Sequence, residues 1–340
     1  MIIRSIRIAG VCNPVSDLPV MPFASLIHPK QFVMPRTLML QRTLVVFLAL
    51  AFVVLSAQAH PDGGRNSDGA RDTVKKTFKV HPGGTVYLDL DHGNIRIEVG
   101  HDDLVHIEVD RIVEARDREE AKQILTTHEL DFRQSGDDVR VRSRFEKDRW
   151  THKLWGKHAK FRTEIRVIVP ERYNIDFTDG AGNITIDDVI GSVGGRTGAG
   201  NVVMGSIRGP VDITSGAGNI DIDGAVGRIE VTSGAGNITL HSIEGEIRAH
   251  TGAGNVMARI SRQPDGDSSL GSGAGNVTVY LEDEVGVYVD AVASVGSANC
   301  DYPLKIHGKW MKKSFVGDVN GGGPDLTLRA GVGNVSLKKQ

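Results

Sequence analysis

Cysteine, aromatic residues and long apolar runs are all scarce in this sequence of 340 residues. Aromatic residues make up 5% of the chain, and its 2 cysteines are Cys12 and Cys300. So few cysteines exclude a small domain held together by several disulfides. Because Cys12 lies in a leader that is predicted to be removed, Cys300 is expected to be either a buried small apolar residue or an intermolecular thiol.

An excess of charge of either sign is also absent. The chain has 40 basic and 42 acidic residues, and 40% of its residues are hydrophobic. The charge balance excludes a protein held on nucleic acid by phosphate neutralisation, and the hydrophobic content excludes a disordered acidic chain. Glycine, in contrast, is abundant at 41 residues, which favours tight turns around a core of aliphatic side chains.

An export signal is predicted over residues 34–59. Two arginines precede the uncharged apolar run 44–55, and the small residues of Ala57-Gln58-Ala59 follow it. This order is typical of a secretory signal peptide, with cleavage before His60. The run is shorter than the roughly 20 residues that span a bilayer. We therefore expect a mature chain without a transmembrane anchor, located in the periplasm or at the cell surface.

The segments on either side of this signal have no place in a domain core. Residues 1–33 do not fit a signal peptide and are interpreted as an over-extended start, with Met34 or Met39 as a better initiator. Residues 60–72 are rich in polar residues and glycine. They are expected to form a flexible linker.

The strongest pattern in the sequence is an internal repeat of Gly-Ala-Gly-Asn. Apolar residues alternate directly after each repeated asparagine and again nine residues later, so each unit holds two short strands. Glycines recur between the two strands where the chain must turn, at Gly191, Gly209, Gly227 and Gly245. The asparagines follow one another every 18 residues, with a last step of 21, at Asn183, Asn201, Asn219, Asn237, Asn255 and Asn276.

Such units must stack, because two strands of about five residues cannot bury an apolar face alone. The sequence therefore predicts a mainly β fold, a right-handed parallel β-helix or β-solenoid with coils of about 18 residues over residues 178–340. Leu326–Leu328 and Asn334–Leu337 are expected to form its C-terminal cap.

The repeated asparagines have two interpretations. They are expected to form a structural ladder along the solenoid, together with a parallel row of Thr and Ser. The alternative is a row of calcium ions, which requires an aspartate in every turn. Aspartates such as Asp221 and Asp223 do not recur in every coil, so the sequence predicts neither a metal nor a cofactor.

Residues 73–177 are predicted to be a β-rich segment with one helix. Asp117 and Glu120 have the spacing of a capping box at the start of that helix. Residues 92–97 already resemble a degenerate coil. One continuous body is therefore expected, in which the early strands close the first coil.

These features resemble the bacterial "putative adhesin" family, exported domains of unknown function. The resemblance covers about residues 73–340. It rests on the signal peptide, Gly93-Asn94-Ile95, the iterated Gly-x-Gly-Asn coils, Asn320–Pro324 and Gly333-Asn334-Val335. The family implies a β-solenoid and surface attachment, and it brings no catalytic residues to this chain.

Two basic stretches that contain all three tryptophans are the candidate binding residues. The members are Trp150, Lys153, Trp155, Lys157, Lys160 and Arg162 in the first stretch, and Lys309, Trp310, Lys312 and Lys313 in the second. Flat aromatic rings beside cations suit anionic envelope glycans or an anionic membrane surface. The alternative is a hairpin whose tryptophans cap the solenoid while its lysines stay solvated.

No pattern of catalytic or zinc-binding residues is present. His92, His101 and His106 lack the helical spacing of a zinc site and are expected to be solvated on the surface. The sequence therefore favours a non-catalytic envelope or surface binding module, with anionic glycans or another envelope protein as partner. The alternatives are a structural or protein-interaction solenoid of the periplasm and, less favoured, a carbohydrate-active enzyme.

Overall fold

The computed structural model describes residues 69–145, 159–308 and 311–340. The first part contains β1 (Gly69–Lys79), β2 (Thr85–Leu90), β3 (Asn94–Gly100), β4 (Leu104–Glu114), α1 (Arg118–Thr127), β5 (His128–Ser135), β6 (Asp138–Phe145) and β7 (Lys160–Pro170). The repeats contain β8 (Asn174–Ala181), β9 (Ile184–Ile186), β10 (Val189–Ile190), β11 (Val193–Ala199), β12 (Val202–Arg208), β13 (Val211–Ala217), β14 (Ile220–Val226), β15 (Ile229–Ala235), β16 (Ile238–Glu244), β17 (Ile247–Ala253), β18 (Val256–Ile260), β19 (Ser268–Ala274) and β20 (Val277–Leu281). The last part contains β21 (Val287–Val295), β22 (Ala298–Cys300), β23 (Ile306–His307), β24 (Lys313–Val319), β25 (Asp325–Val332) and β26 (Val335–Lys339).

Two long sheets, parallel through the repeats, make up the fold, as the sequence predicted. Sheet A follows the order β1-β4-β7-β3-β9-β12-β14-β16-β18-β20-β26-β22, with β10 beside β12. Sheet B follows the order β23-β24-β21-β25-β19-β17-β15-β13-β11-β8-β2-β6-β5. Val193 pairs with Val211, which pairs with Ile229. The register thus advances by one 18-residue repeat at each strand, which is the pattern of a β-solenoid.

Alternation along each strand places the core between the two sheets. In β15, Ile229 and Val231 are fully buried, whereas Glu230 and Thr232 are exposed. The same pattern recurs in the neighbouring coils and produces one contiguous cluster of buried, mostly aliphatic side chains. Functional side chains must therefore come from the outward rows, the turns or the two ends.

Glycines at the turns allow the coils to approach closely. Gly209 has a φ of +156°, and a Cβ on it would lie 2.3 Å from the carbonyl oxygen of Gly191 in the preceding coil. A side chain there would be strained and would also clash with backbone. The repeat glycines are thus required by backbone packing.

The early strands extend the same two sheets, in agreement with the continuous body predicted. β2 pairs with β8 and β3 pairs with β9, both in parallel. β1 begins at Gly69 and pairs with β4 from that residue, so residues 69–72 of the predicted linker 60–72 belong to a strand. The predicted boundary between 177 and 178 lies inside β8, a strand of sheet B.

A single helix lies among the described residues, at the predicted place. The Asp117 side chain accepts a hydrogen bond from the Glu120 N–H at 2.8 Å, and α1 buries Ala121 and Ile124. Within the described ranges, no helix combines the length and hydropathy needed to cross a membrane.

The prediction that the C-terminal residues cap the solenoid is wrong. β25, which contains Leu326–Leu328, lies between β19 and β21, and β26, which contains Asn334–Leu337, lies between β20 and β22. Asn334 N–H donates to Asn276 Oδ1 at 2.9 Å across 58 residues of sequence. The last coil of the chain is therefore the next coil in space after residue 276, and β21 to β24 form the end of the stack.

Candidate functional site

The repeated asparagines lie in one row along the turns. The row contains Asn183, Asn201, Asn219, Asn237, Asn255 and Asn276, preceded by Asn94 and followed by Asn334 and Ser297. At each step the backbone N–H of one member donates to the Oδ1 of the preceding member, at 2.8–3.1 Å. These Oδ1 atoms are occupied by backbone donors of the neighbouring coil.

A second row, of buried hydroxyls, runs inside sheet B. Ser233, Thr251 and Ser272 each donate a hydrogen bond of 2.7–3.3 Å to a carbonyl oxygen of the preceding coil. The acceptors are the glycines directly before the repeated asparagines, Gly218, Gly236 and Gly254. Asp179 occupies the equivalent position in β8, with 2% of its surface exposed. Burial raises the pKa of this carboxyl to about 7, and the nearby Ala181 amide offsets only part of the rise.

The first basic stretch is only partly within the described residues. Trp150, Lys153, Trp155 and Lys157 lie outside them. Lys160 and Arg162 extend from β7 toward the carboxylate of Glu114 on β4, at 3.9 and 3.8 Å. Both cations therefore have an acidic neighbour on their own sheet.

The second basic stretch forms the antiparallel hairpin β23–β24 at the far end of sheet B. Lys309 and Trp310 lie outside the described residues, whereas Lys312 and Lys313 lie within them. The structure adds a feature that sequence reasoning missed, a set of exposed apolar side chains beside these lysines. We call this surface the hairpin patch, and it consists of Lys305, Ile306, Met311, Lys312 and Lys313.

The apolar members of the hairpin patch are strongly exposed. Ile306 is 50% exposed and Met311 64%, and Val316, on the opposite face of β24, is 45% exposed. Val295 and Val332, at the ends of the adjacent strands β21 and β25, are also exposed. The signal for this surface is present in the sequence, because residues 302–317 contain four lysines and no acidic residue.

The structure does not bring the two basic stretches together. The described part of the first stretch lies on β7, which pairs with β3 in sheet A. β2, the strand just before β3, pairs with β8 in sheet B, and seven strands of sheet B separate β8 from β24. At about 4.8 Å per strand this places the described parts of the two stretches roughly 40 Å apart. Among the described residues, Lys160 and Arg162 therefore do not share a site with Lys312 and Lys313.

A shallow groove of about 270 Å³ lies on the outer face of sheet B. Its floor is Gly194, which has no side chain, and Asp176 and Asp212 flank it on the neighbouring strands. Tyr87 forms one wall, with the Arg140 guanidinium 4.7 Å above its ring. The two carboxylates can accept hydrogen bonds from hydroxyl or amine groups. A glycine at an outward position between two aspartates is the signal that could have found it.

The prediction of solvated histidines is wrong for His92. Its ring stacks on Phe145 at a centroid distance of 6.0 Å and packs edge-on against Phe161 at 5.7 Å. Burial lowers the pKa of His92. His101 is exposed, and His106 is half-buried beside Asp102.

His128 belongs to the same aromatic cluster, where α1 ends. Its ring lies 4.7 Å from the rings of Phe145 and Phe161, and its Nε2 is 3.1 Å from Ser143 Oγ. Burial, together with the positive charge of Arg111, lowers the pKa of His128 to about 3. The buried, neutral imidazole of His128 therefore packs in the interior and provides a hydrogen-bond partner for the buried Ser143 hydroxyl.

Comparisons with known proteins found a matching family model and similar solved structures. A family model described as Toastrack DUF4097 matches residues 86–338. No curated protein matches the chain. Among solved structures, an adhesin described as putative, from Bacteroides fragilis, is 12% identical over 79% of this chain and 97% of its own, with a TM-score of 0.43. A putative cell adhesion protein from Clostridium sporogenes is 14% identical over 80% and 100% of the two chains, with a TM-score of 0.28.

Proposed function

Because this chain belongs to the Toastrack DUF4097 family and its own two sheets form a β-solenoid, we propose that it is an exported, non-catalytic binding module of the bacterial envelope. Its proposed ligand is an anionic envelope polymer that carries phosphate or carboxylate groups. The proposed site is the hairpin patch. The competing function is a structural or protein-interaction solenoid, in which the hairpin patch has no ligand.

One observation carries this proposal, the coexistence of exposed apolar side chains and cations without acidic partners on one hairpin. Within the described residues, none of Lys305, Lys312 and Lys313 forms an ion pair. Some other surface cations, such as Arg166 and Arg228, are paired with carboxylates. Cations without partners beside apolar groups provide both charge pairing and apolar contact for an amphiphilic anion.

The position of the hairpin patch fits a binding role. It lies on the last strands of sheet B, where no further coil of the described part of the chain covers it. The preceding coils form a rigid stack of hydrogen-bonded strands, so binding there orders little additional chain. We therefore expect binding that is weakened by salt, since ionic screening acts mainly on exposed charges.

Titration of the purified protein with lipopolysaccharide, and with a neutral glucan as comparison, tests the proposal. The double variant Lys312→Glu/Lys313→Glu should bind lipopolysaccharide at least tenfold more weakly than the wild type at low salt. Lys122→Glu, on the surface of α1 and far from β24, is the matched control and should bind as the wild type does. Equal binding by all three proteins, or equal binding to the neutral glucan, would contradict the proposed site.

Apolar contact is tested separately from charge. Ile306→Ser and Met311→Ser remove exposed apolar surface and keep every lysine. Each should weaken binding to lipopolysaccharide while leaving the salt dependence unchanged. Binding to vesicles of anionic phospholipid, without binding to delipidated polysaccharide, would assign the surface to a membrane instead of a glycan.

The first basic stretch remains a second proposed contact for the same kind of polymer. Trp155→Ala should weaken binding if Trp150, Lys153, Trp155 and Lys157 form a site, with Lys153→Ala and Lys157→Ala preserving the fold. If the tryptophans cap the solenoid, Trp155→Ala should instead cost about 3 to 5 kcal/mol of stability. Melts and titrations on the same variants separate these outcomes.

Export is part of the proposed function and has its own test. Expressed with its leader in a bacterium, the protein should be recovered outside the cytoplasm with His60 as its first residue. An intact leader on protein recovered from the cytoplasm would refute export.

A further inference from the structure

We propose that Asp221, Asp223 and His241 form a binding site for one divalent transition-metal ion, with zinc as the best fit. The three side chains lie on the outer face of sheet A, on the neighbouring strands β14 and β16. This site is independent of the hairpin patch, which lies at the end of the other sheet.

The geometry brings three ligand atoms together on one face. Each residue offers one nitrogen or oxygen atom, and these atoms all lie within 4.8 Å of one another. His241 Nε2 and Asp221 Oδ1 are 3.0 Å apart. Two ligands of one zinc ion, each about 2.0–2.1 Å from the metal, are separated by roughly 2.8–3.0 Å in an octahedral arrangement and roughly 3.3–3.4 Å in a tetrahedral one. The half-exposed His241 and the exposed Asp223 can complete the set through side-chain rotation.

A second observation concerns Asp221 Oδ1 itself. This atom is shielded from solvent although the Asp221 side chain is 46% exposed, and within the described residues it accepts no hydrogen bond of ordinary geometry. His241 Nε2 lies within hydrogen-bonding distance of Asp221 Oδ1, but the orientation of the imidazole ring does not allow a hydrogen bond between the two atoms. An ion placed between the two lone pairs would satisfy both atoms.

The fold does not require these residue types at these positions. One coil earlier, Val203 occupies the place of Asp221, and one coil later, Thr239 does. The solenoid therefore tolerates apolar and neutral side chains on this outward row. A single site needs no repetition along the solenoid, so the absence of a repeated aspartate, which argues against a row of calcium ions, does not argue against it.

The donor set selects the class of metal. One imidazole nitrogen with two carboxylate oxygens suits zinc and similar divalent transition ions, whereas calcium and magnesium prefer oxygen ligands alone. Arg259, the cation on the strand next to His241, lies over the Tyr280 ring at 5.3 Å. Three protein ligands on an open sheet face leave at least one coordination position toward solvent, where water or an anionic group of a partner can bind.

Zinc titration of the untagged exported protein tests this site, with a chromogenic chelator as competitor. The wild type should bind one zinc ion that His241→Gln and Asp223→Asn each weaken by at least tenfold. His250→Gln and Asp212→Asn are matched controls, because both lie on the outer face of the opposite sheet. They should bind zinc as the wild type does.

A thermal melt provides the second measurement. Saturating zinc should raise the melting temperature of the wild type and of both control variants, because an ion that binds only the folded state stabilises it. The rise should be clearly smaller for His241→Gln at the same zinc concentration, because its affinity for the ion is lower. Absence of zinc binding by the wild type, or unaltered affinity and stoichiometry in both His241→Gln and Asp223→Asn, would overturn the proposal.

Discussion

Asp179 lies directly beside Thr197 in the parallel register of β8 and β11, at the position that later coils fill with a buried hydroxyl. A carboxyl thus replaces a hydroxyl in a row whose members are almost fully buried. Neither of its oxygens meets a donor at full hydrogen-bond geometry among the described residues. This substitution makes the stability of the fold depend on pH.

The sign of that dependence follows from the raised pKa of Asp179. The folded state holds the proton up to about pH 7, whereas the unfolded chain releases it near its ordinary value of 3.8. The stability present at low pH is therefore lost as the pH rises through that interval, by up to about 4 kcal/mol. Asp179→Ser should raise the melting temperature at pH 8 and have much less effect at pH 4.

Chemical denaturation at several pH values measures this effect. Asp176→Ser, on the exposed face of the same strand, is the control and should not change the pH dependence. A gain from Asp179→Ser that is the same at pH 4 and pH 8 would show that the carboxyl is not protonated in the fold.

His128 should have the opposite dependence on pH. Its pKa of about 3 in the folded state lies below the ordinary value of 6.5, so the stability it contributes is lost as the pH falls below 6.5. At pH 5 the loss amounts to about 2 kcal/mol. His128→Phe should be less stable than the wild type at pH 7.5, because Ser143 loses its partner, and the difference should shrink or reverse at pH 5. Parallel denaturation curves at both pH values would contradict this.

The two turn glycines Gly209 and Gly227 should respond differently to substitution. Both have positive φ, but a Cβ on Gly209 would lie 2.3 Å from a backbone oxygen, whereas on Gly227 the nearest backbone atoms are 3.3 Å away. Gly209→Val should cost several kcal/mol through strain and clash, and Gly227→Val less. Gly224→Ala, whose φ is not positive and whose Cβ would be 3.4 Å from its nearest neighbour, is the control. We expect Gly209→Val to have the lowest melting temperature, followed by Gly227→Val and then Gly224→Ala. A different order would contradict this explanation of the turn.

The asparagine row should depend on its side-chain oxygens. Asn237 Oδ1 accepts from Asn255 N–H at 2.8 Å. Asn237→Ala should cost about 1 kcal/mol, because one backbone donor loses its partner, whereas Asn237→Asp keeps an acceptor and should cost less. Denaturation midpoints of the two variants provide the measurement, and equal losses would indicate that the side-chain oxygen is not the stabilising group.

The period of the repeat was enough to predict the two sheets, the turn glycines and the asparagine positions. After each repeated Gly-Asn, two alternating apolar residues face the core. The register of neighbouring strands therefore follows from the spacing of the repeats in the sequence. The position of the last coil was not predicted, because Ser297 and Asn334 can both follow Asn276 by hydrogen bonding. The sequence does distinguish the two segments, because Gly333-Asn334-Val335 keeps the repeat motif and Gly296-Ser297-Ala298 does not. This difference could have identified Asn334 as the next member of the row.

The outward residues were harder to predict than the core. Asp221, Asp223 and His241 come together only because β14 and β16 are adjacent, and no repeat marks them. Likewise, the exposure of Ile306 and Met311 depends on the hairpin β23–β24 lying at the end of the stack. The exposure of such side chains depends on which strands lie at the end of the stack. The hydrophobic pattern of a single segment does not contain this information.

The insertion of β25 and β26 between earlier strands also sets an order in time. Residues 287–319 leave the ribosome before residues 325–339, but their place in the sheets lies beyond the strands that these later residues form. Until the C-terminal residues are available, β21 has no parallel neighbour on its inner side, and the growing stack ends at β19 and β20. Stepwise addition of coils during synthesis can therefore proceed only that far, and the final assembly must wait until residues 325–339 have left the ribosome.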